Sequence, residues 1–271
     1  MNNNGTYISW VGSQQSFVDD ISVEQFNHLT LGRYGGNSGA GQYKNEDGCL
    51  LWINEKEDWE FVALLDAHNT AESAELVVNL LENEKANLAE ILRFEMKQKM
   101  FQLLAERLLS LFQSQEVLSA CKNVTGETAC LIVVRKGKYV WWFSVGDVLL
   151  YLFHTELAAL GQYQVNQRQF FEWIGEVNTF EQEVPCYSVG IKELRQGMNR
   201  IFLTTDGLIE CPNEPYTNPK TIYDSFEHVA DEVAIKDMLV HIQKNYVRDS
   251  TTIISWQINS MKKATTPSNG K

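Results

Sequence analysis

The stretch FVALLDAHNTAESAEL (residues 61–76) joins an apolar strand to an amphipathic helix. Its five apolar residues run directly into Asp66, and His68 follows two positions later. A helix is predicted from about Thr70, with Asn69 in the N-cap position. A buried strand that delivers a carboxylate and an imidazole at its exit has two interpretations. The pair either performs chemistry or merely supports the start of the helix.

Apolar runs elsewhere predict further strands, separated by helical regions. Leu, Ile and Met recur at helical spacing over residues 88–111, which predicts one long helix, and residues 226–246 predict another. The glycine-rich stretch 32–42 predicts a flexible loop. Because strands and helices come in blocks, antiparallel sheet covered by helices is favoured. The remaining predicted strands cover residues 6–12, 49–54, 200–205, 251–258 and three segments within 129–153, the last three joined by short turns that predict antiparallel neighbours.

No repeat or linker divides the 271 residues. We therefore expect one domain over residues 1–258 and a disordered tail over 259–271. Residues 154–197 are mixed in character and only weakly patterned.

Composition argues against several classes of partner. The formal net charge is −12, which disfavours nucleic acid or an anionic membrane as the main partner. The sequence has no run of about 18 apolar residues and no basic-then-apolar N-terminal segment. Its five cysteines include no C-x-x-C pair, which indicates small core residues in a reducing compartment. We expect a cytoplasmic monomer without nucleic acid or membrane partners.

Four aspartates share one context, the rim of an apolar strand: Asp47, Asp66, Asp206 and Asp249. If the strands are neighbours, these carboxylates converge, repel one another and need a counter-charge. Oxygen-only ligands select hard cations such as Mg²⁺ or Mn²⁺, and two such ions can activate water against a phosphate ester. Aspartate is also common at strand ends and turns, and the sequence alone leaves both interpretations open.

Six short motifs follow one another along the chain: NEDG (45–48), LLDAHNTAESAE (64–75), TGETACLIVV (125–134), SVGDVLLYL (144–152), LTTDGLIE (203–210) and RDSTTIISWQI (248–258). In this order they resemble the motifs of the PP2C-type metal-dependent protein serine/threonine phosphatases. The resemblance runs from about residue 30 to 258, and it implies an α+β fold: a four-layer α-β-β-α sandwich of two stacked antiparallel sheets flanked by helices.

The resemblance also assigns roles to residues. It implies two Mn²⁺ or Mg²⁺ ions, with a third and weaker ion held by Asp147 together with Asp206. Ala67 would contribute its backbone carbonyl, and His68 would act as the general acid beside the catalytic Asp66. The ligands implied for the two main ions are Asp47, Asp66, Ala67, Asp206 and Asp249.

The sequence departs from the family pattern at several positions. The D-G-H-G-G motif reads DAHNT, and Ala67 tolerates positive φ poorly, which could restrict the turn. Gln42 stands where the family has a phosphate-gripping arginine, so Lys44 and Arg33 become the phosphate-binding candidates, although lysine lacks the bidentate fork. Ser250 replaces the usual asparagine.

The function implied by the resemblance is hydrolysis of phosphoserine or phosphothreonine in proteins by a metal-activated water. The partner would be a phosphorylated protein substrate. One alternative is a pseudophosphatase, a phosphoprotein-binding module with weak or no turnover. Another is a phosphatase with a covalent phospho-aspartate, in which DAHNT is a degenerate D-x-D-x-T and His68 occupies the place of the second aspartate.

Overall fold

The computed structural model describes residues 5–265, whose strands form two antiparallel sheets stacked face to face. The first sheet has the order β1-β4-β5-β6-β7-β10, with β9 paired onto β6, and the second has the order β2-β3-β12-β11-β8. The strands are β1 (Thr6–Val11), β2 (Ile21–Phe26), β3 (Leu29–Tyr34), β4 (Gly48–Asn54), β5 (Trp59–His68), β6 (Glu127–Lys136), β7 (Tyr139–Val145), β8 (Leu149–Phe153), β9 (Ile174–Gly175), β10 (Ser188–Glu193), β11 (Gly197–Thr204) and β12 (Thr251–Ser260).

Helices cover the outer face of each sheet, which completes the α-β-β-α sandwich. The helices are α1 (Glu72–Arg93), α2 (Gln98–Phe112), α3 (Gln115–Cys121), α4 (Thr155–Ala158), α5 (Pro219–Asp224) and α6 (Asp231–Lys244). The first three pack on the first sheet, and α5 and α6 pack on the second. In the described part of the chain, no helix has both the length and the apolarity to span a membrane.

Strand alternation divides the core into layers, as β5 illustrates. Phe61, Ala63 and Leu65 belong to the layer beneath the first group of helices. Val62 and Leu64 belong to the layer between the two sheets. Since successive side chains of a strand point to opposite faces, Asp66, which follows Leu65, faces the second sheet.

The chain leaves β5 differently from the prediction. Ala67 and His68 remain in the strand, and the positive φ of 72° falls on Asn69, a residue type that tolerates it. Ala67 in place of the family's glycine therefore causes no backbone strain, because the positive φ falls on Asn69. Asn69 is also not the N-cap: α1 begins at Glu72, whose N–H donates to Thr70 Oγ1 at 3.2 Å.

The prediction of a single long helix over 88–111 is wrong, because α1 ends at Arg93, the chain reverses direction, and α2 begins at Gln98. The Nε of Arg107, in α2, donates to Glu84 of α1 at 3.0 Å. Both helices bury their leucine stripe in the same layer, so the apolar periodicity continues through the break.

The three strands within 129–153 do not form one antiparallel ribbon. β6 and β7 pair as predicted, but β8 crosses to the second sheet and pairs with β11. Gly146, at φ 85°, lies in this connection, where an added Cβ would be 2.5 Å from the Cβ of Ala129. The following residue, Asp147, therefore lies where the chain passes from one sheet to the other.

Two further boundaries differ from the predictions. Gly32 to Tyr34 belong to β3 rather than to a flexible loop, and a Cβ on Gly32 would be 2.3 Å from Ile235 of α6, so this glycine permits close packing. β12 continues through Ser260, beyond the predicted domain end, and the Thr265 N–H donates to Glu193 at 3.0 Å. The rest of the predicted disordered tail, 266–271, lies outside the described residues.

Candidate metal centre

The aspartates singled out in the sequence lie at one edge of the sandwich, between the sheets. Asp66 is near the end of β5, and Asp47 directly precedes β4, so both come from the first sheet. Asp206 opens the turn after β11, and Asp249 precedes β12, so both come from the second. Asp147 lies in the connection between the sheets.

Three carboxylates meet closely. Asp66, Asp147 and Asp206 each offer one oxygen, and these oxygens lie within 4.8 Å of one another. The backbone N–H of Asp206 donates to Asp66 Oδ2 at 3.4 Å. This spacing suits a shared cation, which carboxylate oxygens can coordinate from several strands at once.

Asp47 is held beside this group by hydroxyls of the second sheet. Its Oδ2 accepts a hydrogen bond from Thr252 Oγ1 at 2.6 Å and from Thr205 Oγ1 at 3.2 Å. Its backbone N–H donates to Asn45 Oδ1 at 2.9 Å. Asp249 is more exposed, and its Oδ1 accepts from the Ser250 N–H at 2.9 Å.

The residues at this edge fit divalent metal ions. The Oδ1 atoms of Asp47, Asp147 and Asp206 are buried and have no hydrogen-bond donor among the described residues. Buried polar atoms are rarely left without a partner, and a buried carboxylate without a counter-charge is costly. A donor set made only of oxygens is typical of Mg²⁺ or Mn²⁺ sites.

The electrostatics support the same interpretation. Burial raises the pKa of Asp66 well above its usual range, and the charges of Asp206 and Asp47 raise it further. Burial raises the pKa of Asp206 to about 8, with Asp249 and Glu210 adding to the effect. Burial also raises the pKa of Asp47. Without bound cations, these carboxylates therefore favour protonation.

The chain belongs to the protein phosphatase 2C family. The profile of this family, described as protein phosphatase 2C, matches residues 40–244, and this stretch contains every predicted ligand except Asp249. No curated protein sequence matches the chain.

Solved structures share the fold of this family member at low sequence identity. An arginine-to-glutamate variant of a bacterial serine phosphatase has a TM-score of 0.61 at 15% identity, covering 95% of this chain and 99% of that one. The serine/threonine phosphatase Stp1 from Staphylococcus aureus gives 0.59 at 13%, covering 95% and 96%. RsbX in complex with magnesium gives 0.56 at 16%, covering 88% and 100%.

In this protein phosphatase 2C family member, His68 is exposed at the rim, at the end of β5. The edge of its ring approaches Trp173 with a centroid distance of 6.3 Å. Its carbonyl accepts from the Thr70 N–H at 2.9 Å, while the imidazole makes no hydrogen bond among the described residues. The side chain is therefore exposed and free of hydrogen bonds within the described residues, two positions after Asp66 on the same strand.

The position of Arg33 contradicts its candidacy as a phosphate ligand. The residue is buried, and its guanidinium donates to Ser22 Oγ at 2.9 Å and to Glu24. It also stacks on Trp10 and Phe17, with its Cζ 5.1 and 4.6 Å from the ring centroids. The guanidinium of Arg33 therefore pairs with Glu24 and stacks on the two aromatic rings, and it is not exposed to a phosphate.

Gln42 and Lys44 lie on the segment that leads to Asp47. Gln42 is buried, and its Nε2 donates to Glu46 at 3.2 Å. Lys44 is about half exposed, donates to the Asn69 carbonyl and lies 3.0 Å from Glu46. Lys44 therefore contacts the turn that follows the DAH segment, next to the general-acid candidate.

Sequence reasoning missed Arg168. Its Nη2 donates to Asp147 at 3.2 Å, to Asp206 at 3.3 Å and to Glu210 at 2.8 Å. The one available signal was that no other Lys or Arg occurs between Asp147 and Lys192.

Proposed function

We propose that this chain is a metal-dependent phosphatase that hydrolyses phosphoserine and phosphothreonine in proteins. The observation that carries the proposal is the convergence of carboxylates from both sheets, with three buried oxygens that have no donor among the described residues. Membership of the protein phosphatase 2C family supports the reaction type.

The metal ions would be held by Asp47, Asp66, Asp206 and Asp249, together with the carbonyl of Ala67. When bound, divalent ions supply Lewis-acid activation of a water nucleophile and neutralise charge on the phosphoryl oxygens. The threonine hydroxyls that donate to Asp47 keep its carboxylate oriented, a role that outer partners commonly play at metal sites.

His68 would donate a proton to the serine or threonine oxygen as the P–O bond breaks. An alkoxide is a poor leaving group, so protonation by a positioned side chain lowers the barrier. The exposed imidazole stands two residues from Asp66 on the same strand, which supports this role.

The open rim supports a macromolecular substrate. His68, Lys44 and Asp249 are all exposed, so a phosphate on a protein surface could approach without a channel. Lys44 already contacts the Asn69 carbonyl and Glu46, which leaves one ammonium proton for a phosphoryl oxygen and makes Lys44 the remaining phosphate-binding candidate.

A second candidate function is phosphoprotein binding with little or no turnover. The bond between Gln42 and Glu46 favours it, because a neutral amide stands where the family has an arginine and its donor is already occupied. A catalytically weak site of this kind could still bind a phosphoprotein through its metals.

The discriminating experiment measures turnover and binding on the same protein. Purified protein with Mn²⁺ or Mg²⁺ should release phosphate from a phosphothreonine peptide and from p-nitrophenyl phosphate, and Asp66→Asn should not. Metal binding and peptide binding without turnover would favour the binding module instead. An acyl phosphate trapped at Asp66 would contradict both in favour of the covalent route.

A further inference from the structure

Arg168 makes an unusual set of contacts for a basic side chain. A single nitrogen, Nη2, donates to carboxylates of Asp147, Asp206 and Glu210, at 2.8–3.3 Å. The side chain is 19% exposed, and its Cζ lies 4.6 Å from the ring centroid of Phe170. Two of these three carboxylates belong to the close oxygen cluster of the metal centre.

The backbone fixes where this arginine stands. Two residues before it, the buried Asn166 accepts from the Leu150 N–H at 2.8 Å and donates to the Val148 carbonyl at 2.7 Å. One residue after it, the Gln169 N–H donates to the Gly146 carbonyl at 2.8 Å. Gly146 and Val148 lie in the β7–β8 connection, which also carries Asp147, and Leu150 lies in the strand that follows it. The arginine is therefore positioned by its loop as well as by attraction to the acids.

We infer that Arg168 serves as a permanent cation at the metal centre, on the side formed by Asp147 and Asp206, which we call the outer side. The resemblance implied a third and weaker ion on this side. The inference rests on the proposed function, because it assumes that divalent ions occupy the inner side near Asp47 and Asp66. The protein then holds two ions, and Arg168 replaces the third as a positioning residue that touches ligands rather than substrate.

Charge balance favours this arrangement. Among the salt bridges of residues 5–265, Arg168 is the only Lys or Arg partner of a predicted metal ligand. A guanidinium stays charged at every physiological pH and is more weakly hydrated than an ammonium, so it suits a partly buried position between carboxylates. A third divalent ion would have to displace this cation or share its carboxylates, and repulsion opposes both.

The test is to count Mn²⁺ ions, with Mn²⁺ alone as the probe, by the electron paramagnetic resonance signal of the free ion. Wild type should bind two ions. Arg168→Ala should bind three, because the vacated carboxylates gain an additional weak site. Arg168→Lys should remain at two, since it retains the charge. A count of three in wild type, or equal counts in wild type and Arg168→Ala, would overturn the inference.

A second measurement uses the metal-free protein. Treated with a chelator, Arg168→Ala should melt several degrees below wild type, because Asp147 and Asp206 lose the one Lys or Arg that pairs with them among residues 5–265. The matched control is Arg195→Ala, which removes an arginine whose Nε donates to Glu156 at 2.7 Å and contacts no predicted ligand. If the melting temperature falls by the same few degrees in both variants, Arg168 has no special role at the metal centre and only forms ordinary ion pairs.

The outcomes separate this inference from the proposed function. A wild-type protein that binds no Mn²⁺ contradicts both. One that binds two ions with or without Arg168 contradicts only the role of the arginine.

Discussion

Asp206 contacts several residues of the candidate metal centre through both its backbone and its side chain. Its N–H donates to Asp66, its carboxylate lies in the close oxygen cluster, and the preceding Thr205 donates to Asp47. We predict that Asp206→Asn lowers phosphatase kcat by at least about 10²-fold, since it removes a ligand charge. Activity is measured at limiting Mn²⁺.

The fold should survive this substitution, because asparagine has the same shape and lacks the charge that burial disfavours. Asp224→Asn is the matched control: Asp224 is an exposed aspartate that pairs with Lys220. Wild-type turnover by the Asp206 variant, or a lowered melting temperature that explains its inactivity, would contradict the assignment.

The effect of replacing His68 on the rate of hydrolysis should depend on the leaving group of the substrate. A phosphoserine oxygen must be protonated as it leaves, whereas a nitrophenolate leaves unaided. General-acid catalysis contributes about 10²–10⁴-fold, so His68→Gln should slow phosphopeptide hydrolysis by that order and p-nitrophenyl phosphate hydrolysis much less. The two rates are compared at saturating Mn²⁺.

The same variant tests the structural interpretation of His68. If the side chain only stabilises the turn before α1, both substrates should slow together and the melting temperature should fall. That pattern would leave the general acid unidentified.

At the scale of elements, β5 shows what the sequence could predict. Its apolar run ends at Asp66, so the sequence predicts a carboxylate at the exit of a buried strand. The face that this carboxylate takes comes from the structure, where Val62 and Leu64 lie between the sheets and alternation puts Asp66 on the same side. The six ordered motifs then indicated which other strand ends are expected to supply ligands. Asp47, Asp206 and Asp249 do lie at the rims of β4, β11 and β12, as their positions beside apolar runs suggested.

Other elements could not be predicted, because their local patterns fit two structures equally well. The leucine stripe of α1 continues into α2 without interruption, so periodicity does not reveal the break. The short turn at Gly146 looks like a hairpin, but the partner of β8 is β11, about 50 residues further along the chain. Arg168 lies 42 positions from Glu210, and no local signal reports such a contact.

The β5–β6 pair also carries a buried ion pair, which is predicted to matter for stability. Glu60 and Arg135 are register partners, and the Arg135 Nε donates to Glu60 at 2.6 Å with both side chains buried. Arg135→Met removes the arginine charge from the buried Glu60 and leaves His28 as its remaining partner among the described residues, so it should cost about 3–5 kcal/mol in the free energy of unfolding. Lys220→Met, which breaks an exposed pair, should cost less than about 1 kcal/mol. Urea denaturation measures both.

The pH dependence of this loss has a definite sign. Burial alone would raise the pKa of Glu60, but hydrogen bonds from His28 and Arg135 hold it below its usual value. The pair therefore stabilises wild type above the unfolded pKa of about 4.3, and the contribution is lost as the pH falls through the lower folded pKa. In Arg135→Met the carboxylate can protonate in acid, so the difference between variant and wild type should shrink from pH 7 to pH 4. A constant difference would contradict this account.

At the scale of the whole molecule, the cluster of carboxylates that forms the candidate metal centre exists only because two sheets stack. The layer between them is an apolar cluster, to which Leu64 and Leu131 of the first sheet and Ile254 of the second belong. At one edge this layer ends in carboxylates. The family likeness over 40–244 and the similarity to solved phosphatase structures concern this stacking as a whole, which explains how the fold persists at 13–16% identity.

The division of the ligands between the sheets has a consequence for folding kinetics. The hydrogen bond from Thr252 to Asp47 joins residues 205 positions apart, and every pair of predicted ligands from opposite sheets is separated by more than about a hundred positions. The complete centre therefore forms late, after the sheets have met. We expect saturating Mn²⁺ to leave the refolding rate within about twofold of its metal-free value and to slow unfolding by tenfold or more, since interactions absent from the transition state act on the unfolding rate. Stopped-flow tryptophan fluorescence can measure both rates. Refolding accelerated by Mn²⁺ would mean instead that the ion gathers its ligands before the sheets stack, and that the metal helps to guide the chain to its fold.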